Sequence, residues 1–551
     1  MTVDSKVENR SHQQPLDKLF ERLSGLNTIG AALSSERNIN KLLENILVSA
    51  KDITHADAGT LYLLDEENQV LRFEILHNDT LKLALGGISG NAIPFWPVDL
   101  YVNGQPNLAM VVSYSALRGE TINVPDAYAA EGFDFSGTQN FDAKTGYRSR
   151  SILAVPMRNH ESEIIGVLQL INALDWEKNE VSVFTKDDEK LLESLASQAA
   201  IAITNRRLIR QLEDLFESMI GLINTAIDDK SPYTGKHCER VPILTMMLAE
   251  AVNRSSTTPT LANFSLSEQD KYELRIAALL HDCGKITTPV HVVDKATKLE
   301  TIFDRIELII TRFAVLKRDA EIKFLKASAI EVSAEKKAIL QAQFSADILQ
   351  LEDEQSFLQH CNRGSESMSI DAQQRVLSIA HRQWQNDHGL WCDFLSPDEL
   401  ENLMVRSGTL TEGERQIINN HINQTIKMLA ALPWPRHLKN VPEFAGGHHE
   451  RMDGKGYPQG LTRDQMSVQA RIMAIADIFE ALTAHDRPYK AANTLSESLF
   501  ILGKMAQGGH VDPDLFDVFI REQVYLEYAN QFLSSDQNDE VDVAKIPGFV
   551  P

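Results

Sequence analysis

With 551 residues the chain is too long for one hydrophobic core, so two or three domains are expected. Hydrophobic residues make up 43% and charged residues 24%, and no apolar run reaches the roughly 18 residues of a membrane span. A net charge of −23 and a pI of about 5.2 exclude broad electrostatic binding to nucleic acid or to an acidic membrane, while a small anionic ligand stays open where metals or a few placed cations reverse the field.

The opening stretch, MTVDSKVENRSHQQ, lacks the basic-then-apolar layout of a signal peptide. The four cysteines, Cys238, Cys283, Cys361 and Cys392, form no CxxC pair, so a reduced, cytoplasmic chain is expected. Two amphipathic helices are predicted within residues 15–54: PLDKLFERLSGLNTIGAAL, then NINKLLENILVSAKDI with Ile39, Leu42, Leu43, Ile46 and Leu47 on one face. The apolar period then falls to two. GTLYLLDEENQVLRFEIL reads as two strands around a polar turn, and SILAVPM with EIIGVLQLIN as a second pair joined by RNHES. Residues 85–150, rich in Gly, Asn and Asp, read as long loops with short elements. The order predicts an α+β domain over 15–185, an antiparallel sheet flanked by helices.

A proline-free helix follows from about Lys186 to Ile227. In heptad register Ala202, Ile209, Phe216 and Ile223 share one seam position, and Asn205, Leu212, Met219 and Ala226 the other. Residues 186–228 are therefore predicted to connect the two halves and to pair two chains as a parallel coiled-coil homodimer, with Asn205 setting register. A single connector packed on its own domains is the alternative. Residues 229–535 are predicted all-helical. Within them, about 314–406 carries a stripe of Leu340, Phe344, Ile348 and Leu351 but none of the paired metal-capable residues found on either side, and is read as a helical insertion.

The chemistry concentrates in the second half. YTGKHCERV contains His237, ALLHDCGKI contains His281, Asp282 and Lys285, and GGHHERMDGKGYPQGL contains His448 and His449. RIMAIADIFEALTAHDRPYK puts Asp477 in an otherwise apolar helix, where a carboxylate is costly unless it is paired or metal-bound. Imidazoles and carboxylates suit borderline divalent metals, and two such ions stabilise both the attacking and the leaving oxygen at phosphorus. Each signal alone has a plainer explanation: a surface histidine, or Asp477 paired with Arg471. Together they point to metal-assisted phosphoester hydrolysis.

HDCGK followed by HHERMDGKGYP resembles the HD-GYP family of bacterial cyclic di-GMP phosphodiesterases, a branch of the HD metal-dependent phosphohydrolases, over about 228–313 and 407–525. The resemblance implies two divalent ions, Fe or Mn, held by His237, His281, Asp282, His421, His448, His449 and Asp477. It makes Asp282 the bridge that helps hold the nucleophile, and places Lys285 near the scissile phosphate. Arg487 and Lys490 match residues that hold the ligand's phosphates. Gly454, Gly456, Tyr457 and Pro458 shape the loop beside the paired histidines, with Glu450 and Asp453 orienting neighbours. Two departures stand out. No histidine follows Asp294 where the family places one, so His421 supplies it after the insertion. Tyr233 stands where some members have a glutamate for a third metal, so two metals are predicted. The expected reaction is cyclic di-GMP to pGpG, with onward conversion to GMP left open. A hydrolase of cyclic GMP-AMP and a non-catalytic cyclic di-GMP receptor are the rivals.

RSRSILAVPMRNHESEIIGVLQLIN, followed by FTKDDEKLLESLASQAAIAITN, resembles GAF domains over about residues 15–205. Their cyclic-nucleotide signature is matched at Asn172, Phe184 and Asp188, with Glu189 beside the last, while Ala173 replaces its lysine. The resemblance implies a small-molecule effector, cyclic AMP or cyclic GMP, or else a GAF fold used only for dimerisation.

Overall fold

The computed structural model describes residues 25–36, 38–175, 177–230, 237–255, 259–262, 264–364, 367–386, 388–484 and 492–551. It forms two compact units, Met1–Phe216 and Glu217–Pro551. Tyr233, His485, Arg487 and Lys490 lie outside the described residues, as does most of the first predicted helix, of which 25–35 is helical.

The first unit is built on an antiparallel sheet. Six of its eight strands form the main path, β1 (Ala56–Asp65), β2 (Val70–Asn78), β3 (Leu83–Gly86), β4 (Ile122–Val124), β5 (Ile152–Arg158) and β6 (Ile164–Leu174), in spatial order β3-β2-β1-β6-β5-β4, with Val98–Asp99 pairing on β2 and Val181–Ser182 on β6. Central β1 pairs with β2 and β6, and Thr60 stands opposite both Leu76 and Gln169. Both faces are covered, which is why β1 is buried almost throughout rather than alternating. On one face Leu61, Leu63, Leu168 and Leu170 pack against helix α1 (Ile39–Thr54) and the start of a later helix through Leu192, Leu195, Ala199 and Ile203. Each fully buried leucine or isoleucine contributes roughly 1.5–3 kcal/mol there. Helix α1 starts where predicted: Asn38 caps it by accepting from the Lys41 amide, and its apolar stripe is buried. The other face carries Tyr62, Val167, Ile152 and Ala154 under helices α2 (Val111–Arg118) and α3 (Ser136–Thr145), supplied by the region predicted to be loop-rich.

Helix α4 (Lys186–Lys230) runs 45 residues, from the first unit into the second. Leu208, Ile209, Leu212, Leu215, Met219 and Leu222 are exposed, so Ile209, Leu212 and Met219 of the predicted seam lie open, whereas Ile220 and Ile227 are buried and Phe216 and Ile223 half-buried.

The second unit is helical: α5 (His237–Arg254), α6 (Glu268–Leu280), α7 (Ile306–Ile330), α8 (Ala334–Asn362), α9 (Ile370–Ala380), α10 (Pro397–Leu403), α11 (Glu412–Asn419), α12 (His421–Ala430), α13 (Val441–Gly446), α14 (Val468–Thr483), α15 (Leu495–Gln507), α16 (Pro513–Arg521) and α17 (Val524–Phe532). Around the predicted insertion, α7 starts at Ile306 and a core of its own gathers Leu299, Ile306, Phe313, Leu358, Val376 and Phe394. The insertion also contains a two-stranded hairpin, Gln383–Gln385 with Trp391–Asp393. The predicted stripe lies along α8, with Leu351 in that core and Phe344 stacked on Phe324 at 5.0 Å. Its ends meet: Thr409 Oγ1 donates to the Lys295 carbonyl (2.8 Å), and buried Lys295 bonds Asn402 (2.6 Å) and Glu414 (2.7 Å). No helix among the described residues is long and apolar enough to cross a membrane.

Candidate active site

The seven predicted ligands come from five separate stretches and converge at one buried point. His237 opens α5, His281 and Asp282 follow α6, His421 opens α12, His448 and His449 follow α13, and Asp477 sits midway along α14. Close backbone approach makes this possible. A Cβ on Gly284 would meet the His421 carbonyl at 2.0 Å and the Thr425 amide nitrogen at 2.6 Å, so only glycine lets α12 lie against the turn carrying Asp282.

The ring orientations follow from outward hydrogen bonds. Nδ1 of His281 donates to the Ala278 carbonyl (2.7 Å), that of His421 to Ile418 (2.6 Å) and that of His448 to Ala445 (2.6 Å). A carbonyl only accepts, so each proton is fixed on Nδ1 and each Nε2 lone pair is turned inward. His237 is oriented differently: its Nδ1 bonds Glu480 Oε2, and Arg240 holds the other Glu480 oxygen at 2.6 Å. His449 stacks on Tyr457 with ring centroids 4.8 Å apart.

The inward atoms fall into two groups, His237–His281–Asp282 and His421–His448–His449, each with its ligand atoms within 4.8 Å of one another. Asp282 spans them. Its Oδ2 lies 3.3 Å from Nε2 of both His237 and His281, and its Oδ1 lies 3.2 Å from Nε2 of His421. Asp477 Oδ1 is 3.1 Å from His237 Nε2 and 3.8 Å from His281 Nε2. Lys285 Nζ donates to Asp282 Oδ2 at 2.5 Å.

Burial opposes charge on Asp282, yet Lys285 and His281 hold its carboxyl well below the usual range. Asp477 is likewise depressed against its own burial, chiefly by His237. Burial, with His281 adding to it, pushes His448 down to about 4, and burial with His448 pushes His449 well below the ordinary histidine value. His448 and His449 are thus held neutral, whereas Glu480 and the neighbouring carboxylates Asp282 and Asp477 raise His237 against its burial; imidazoles beside ionised carboxylates form the donor set that borderline divalent ions require. Nε2 of His448 and Oδ1 of Asp282 are buried without a hydrogen-bond partner, and such orphaned atoms fit a metal centre.

Glu480 and Arg240 were not among the predicted residues. The signal available was spacing: Glu480 lies three positions after Asp477 and Arg240 three after His237, each on the same helical face. Buried Glu450 accepts from the Gln459 (2.7 Å) and Leu461 (2.8 Å) amides and so fixes the Gly-Tyr-Pro loop. A Cβ on Gly456 would collide with the Arg451 amide nitrogen at 2.4 Å. Asp453 accepts from the Lys455 amide and Arg451, and the Lys455 side chain is exposed.

In the first unit a cavity of about 490 Å³ lies on the α2–α3 face of the sheet, lined by residues including Tyr62, Phe73, Phe95, Phe141 and Tyr147. Asn172, Phe184 and Asp188 do not line it. Asn172 donates to Tyr147 and to the Arg148 carbonyl and accepts from the Arg150 amide. Phe184 packs in the helix-side core, and Asp188 accepts from the Thr185 amide and hydroxyl at the start of α4.

Comparison with known proteins agrees with this division. The GAF domain family model matches residues 38–203, and HD domain models match 234–360 and 390–515. The chain is 32% identical over 157 residues to the 3'3'-cGAMP-specific phosphodiesterase 3 of Vibrio cholerae, covering 28% of this chain and 33% of that protein. It is 31% identical over 183 residues to the 3'3'-cGAMP-specific phosphodiesterase 1 of the same organism, covering 33% and 41%. It is 36% identical over 128 residues to the cyclic di-GMP phosphodiesterase response regulator RpfG of Xanthomonas campestris, covering 23% and 33%. The chain thus spans well under half the length of these curated relatives.

Proposed function

We propose that this chain, which joins a GAF domain to a helical HD domain of the HD-GYP type, is a signal-regulated, metal-dependent phosphodiesterase that opens cyclic di-GMP to linear pGpG. One observation carries this conclusion: Asp282 turns one carboxylate oxygen toward His237 and His281 and the other toward His421, so a single acid spans two imidazole groups. Two divalent ions, Fe or Mn, would be held by His237, His281, Asp282 and Asp477 on one side and by His421, His448, His449 and Asp282 on the other, supplying Lewis-acid polarisation and a water of lowered pKa.

The chain's own groups do the rest. The carbonyls of Ala278, Ile418 and Ala445 keep three rings in the tautomer that offers Nε2 inward. Glu480, itself held by Arg240, orients the His237 ring. Lys285, drawn to Asp282 and kept protonated by it against its burial, offers a charged donor beside Asp282 for a phosphate oxygen. In this role it would stabilise charge as water oxygen bonds to phosphorus, and would protonate the 3′ oxygen as the P–O3′ bond breaks. Arg487 and Lys490 would hold the phosphates. The relatives named above act on cyclic GMP-AMP or on cyclic di-GMP, which supports a cyclic dinucleotide as substrate class; cyclic GMP-AMP is the alternative substrate.

Regulation belongs to the same proposal. The exposed stripe on α4 would pair two chains in parallel, as expected of a cytoplasmic signalling dimer. Helix α4 ends on the active-site turn, where Lys230 Nζ donates to the Ile286 carbonyl beside Lys285. A small-molecule effector in the first unit would set the state of α4; Asn172, Phe184 and Asp188, the positions expected to serve cyclic AMP or cyclic GMP, make local structural contacts instead. The deciding experiment compares purified protein with Asp282→Ala under anaerobic Fe(II) and Mn(II). Metal-dependent pGpG formation lost in the variant supports the enzyme; tight cyclic di-GMP binding without product under both metals supports a receptor instead.

A further inference from the structure

The cavity in the first unit has a chemistry that the cyclic-nucleotide expectation does not match. Its volume of about 490 Å³ lies within the range of small-molecule sites. Aromatic rings run along it as a chain: Tyr62 to Phe73 at 4.6 Å between centroids, Phe73 to Phe95 at 5.5 Å, and Phe95 to Phe141 at 6.1 Å. No Lys or Arg lines it among the described residues. The one lining histidine, His77, faces Glu44 with Nε2 2.8 Å from Oε1.

The surrounding charge is negative. Asp99 and Asp134 stand among the lining residues and are exposed. Behind the lining, buried Asp57 accepts from Tyr147 (2.5 Å) and Thr80 (2.8 Å), and buried Asp142 accepts from Tyr128 (2.8 Å) and from the Ser149 amide and hydroxyl (2.8 and 2.9 Å). Neither acid has a Lys or Arg ion-pair partner among the described residues. Arg148 lies over the Tyr128 ring at 4.3 Å and is not part of the lining. A phosphodiester placed here would be desolvated beside carboxylates with no cation to meet it, which is costly. Aromatic faces backed by uncompensated carboxylates attract positive charge instead.

We propose that this cavity is an effector site for a small organic cation, a quaternary or protonated amine carrying an apolar body. The inference rests on the cavity alone and is independent of phosphodiester chemistry, since binding is read directly. The full chain is titrated by calorimetry with 3-hydroxyphenyltrimethylammonium, its uncharged isostere 3-tert-butylphenol, cyclic AMP and cyclic GMP. The cation is expected to saturate one site per chain about tenfold more tightly than the isostere, and Phe95→Ala to weaken it about tenfold. Phe95 stands partly exposed at 36%, so this variant should stay folded, which its unfolding transition verifies. Asp57→Asn should weaken the cation and leave the isostere unchanged. Neither cyclic nucleotide should bind the cavity. Four results would overturn the inference: equal affinity for cation and isostere, no saturation by the cation up to about 10 mM, unchanged affinity in folded Phe95→Ala, or a cyclic nucleotide that competes with the cation.

Discussion

Glu480→Gln separates the orienting shell from the ligands themselves. Glu480 is 1% exposed, with one oxygen on His237 Nδ1 and the other on Arg240, itself 7% exposed. Glutamine keeps the shape and an acceptor but removes the negative charge that faces the buried Arg240 guanidinium. Losing one partner of a buried pair costs about 3–5 kcal/mol, and the retained hydrogen bonding puts this change near the lower end, about 3 kcal/mol. With an unfolding entropy of about 2.1 cal/mol/K per residue across residues 217–551, the second unit should melt roughly 4 °C lower. His237 also loses the group that aims its ring, and such outer partners are worth about 10–100-fold in metal affinity. The assay is paired: thermal unfolding of chelator-treated protein, and competition against a metal indicator for the reloaded protein. Glu480→Asp, which restores the charge one methylene short, should recover part of the affinity. Wild-type melting and metal affinity in Glu480→Gln would refute the orienting role.

Gly284→Ala places a methyl into the His421 carbonyl and the Thr425 amide, so α12 must shift; stability should fall by about 1–3 kcal/mol and bound metal drop from two ions toward one, measured by unfolding and elemental analysis. Leu212→Asp with Met219→Asp alters side chains that are 65% and 55% exposed, so the chain should stay folded while light scattering reports a monomer instead of a dimer. Glu399 caps α10 and is paired with Arg312; burial raises its pKa, but Arg312 and the Ser396 amide lower it further, so the folded value lies below the unfolded one. Its stabilisation is therefore present above the ordinary glutamate range, near pH 4.3, and is lost as pH falls through the depressed folded value. Glu399→Gln should flatten that acid-side loss in a stability-versus-pH series.

The sheet of the first unit is legible in its sequence because strand periodicity is local: the paired runs around DEEN and RNHES become β1–β2 and β5–β6. That the seven residues come together was legible for another reason: the HDCGK and HHERMDGKGYP motifs carry a family resemblance that names them, and Asp477 on an apolar helix is costly without a partner. What escapes is long-range. Leu299 and Ile306 look like any helix stripe until the Phe313–Phe394 core is assembled, and the bond from Thr409 to the Lys295 carbonyl leaves no local mark. Phe95 and Phe141 lie in a loop-rich stretch whose spacing gives no hint that they meet over Tyr62 and Phe73.

The most direct test is anomalous diffraction at the Mn edge from crystals of the full chain loaded anaerobically with Mn(II). Two peaks per chain about 3.5–4 Å apart are expected, with the Asp282 carboxylate between them, His237 and His281 on one and His421, His448 and His449 on the other. A single peak, or two peaks that Asp282 does not touch, would contradict that arrangement.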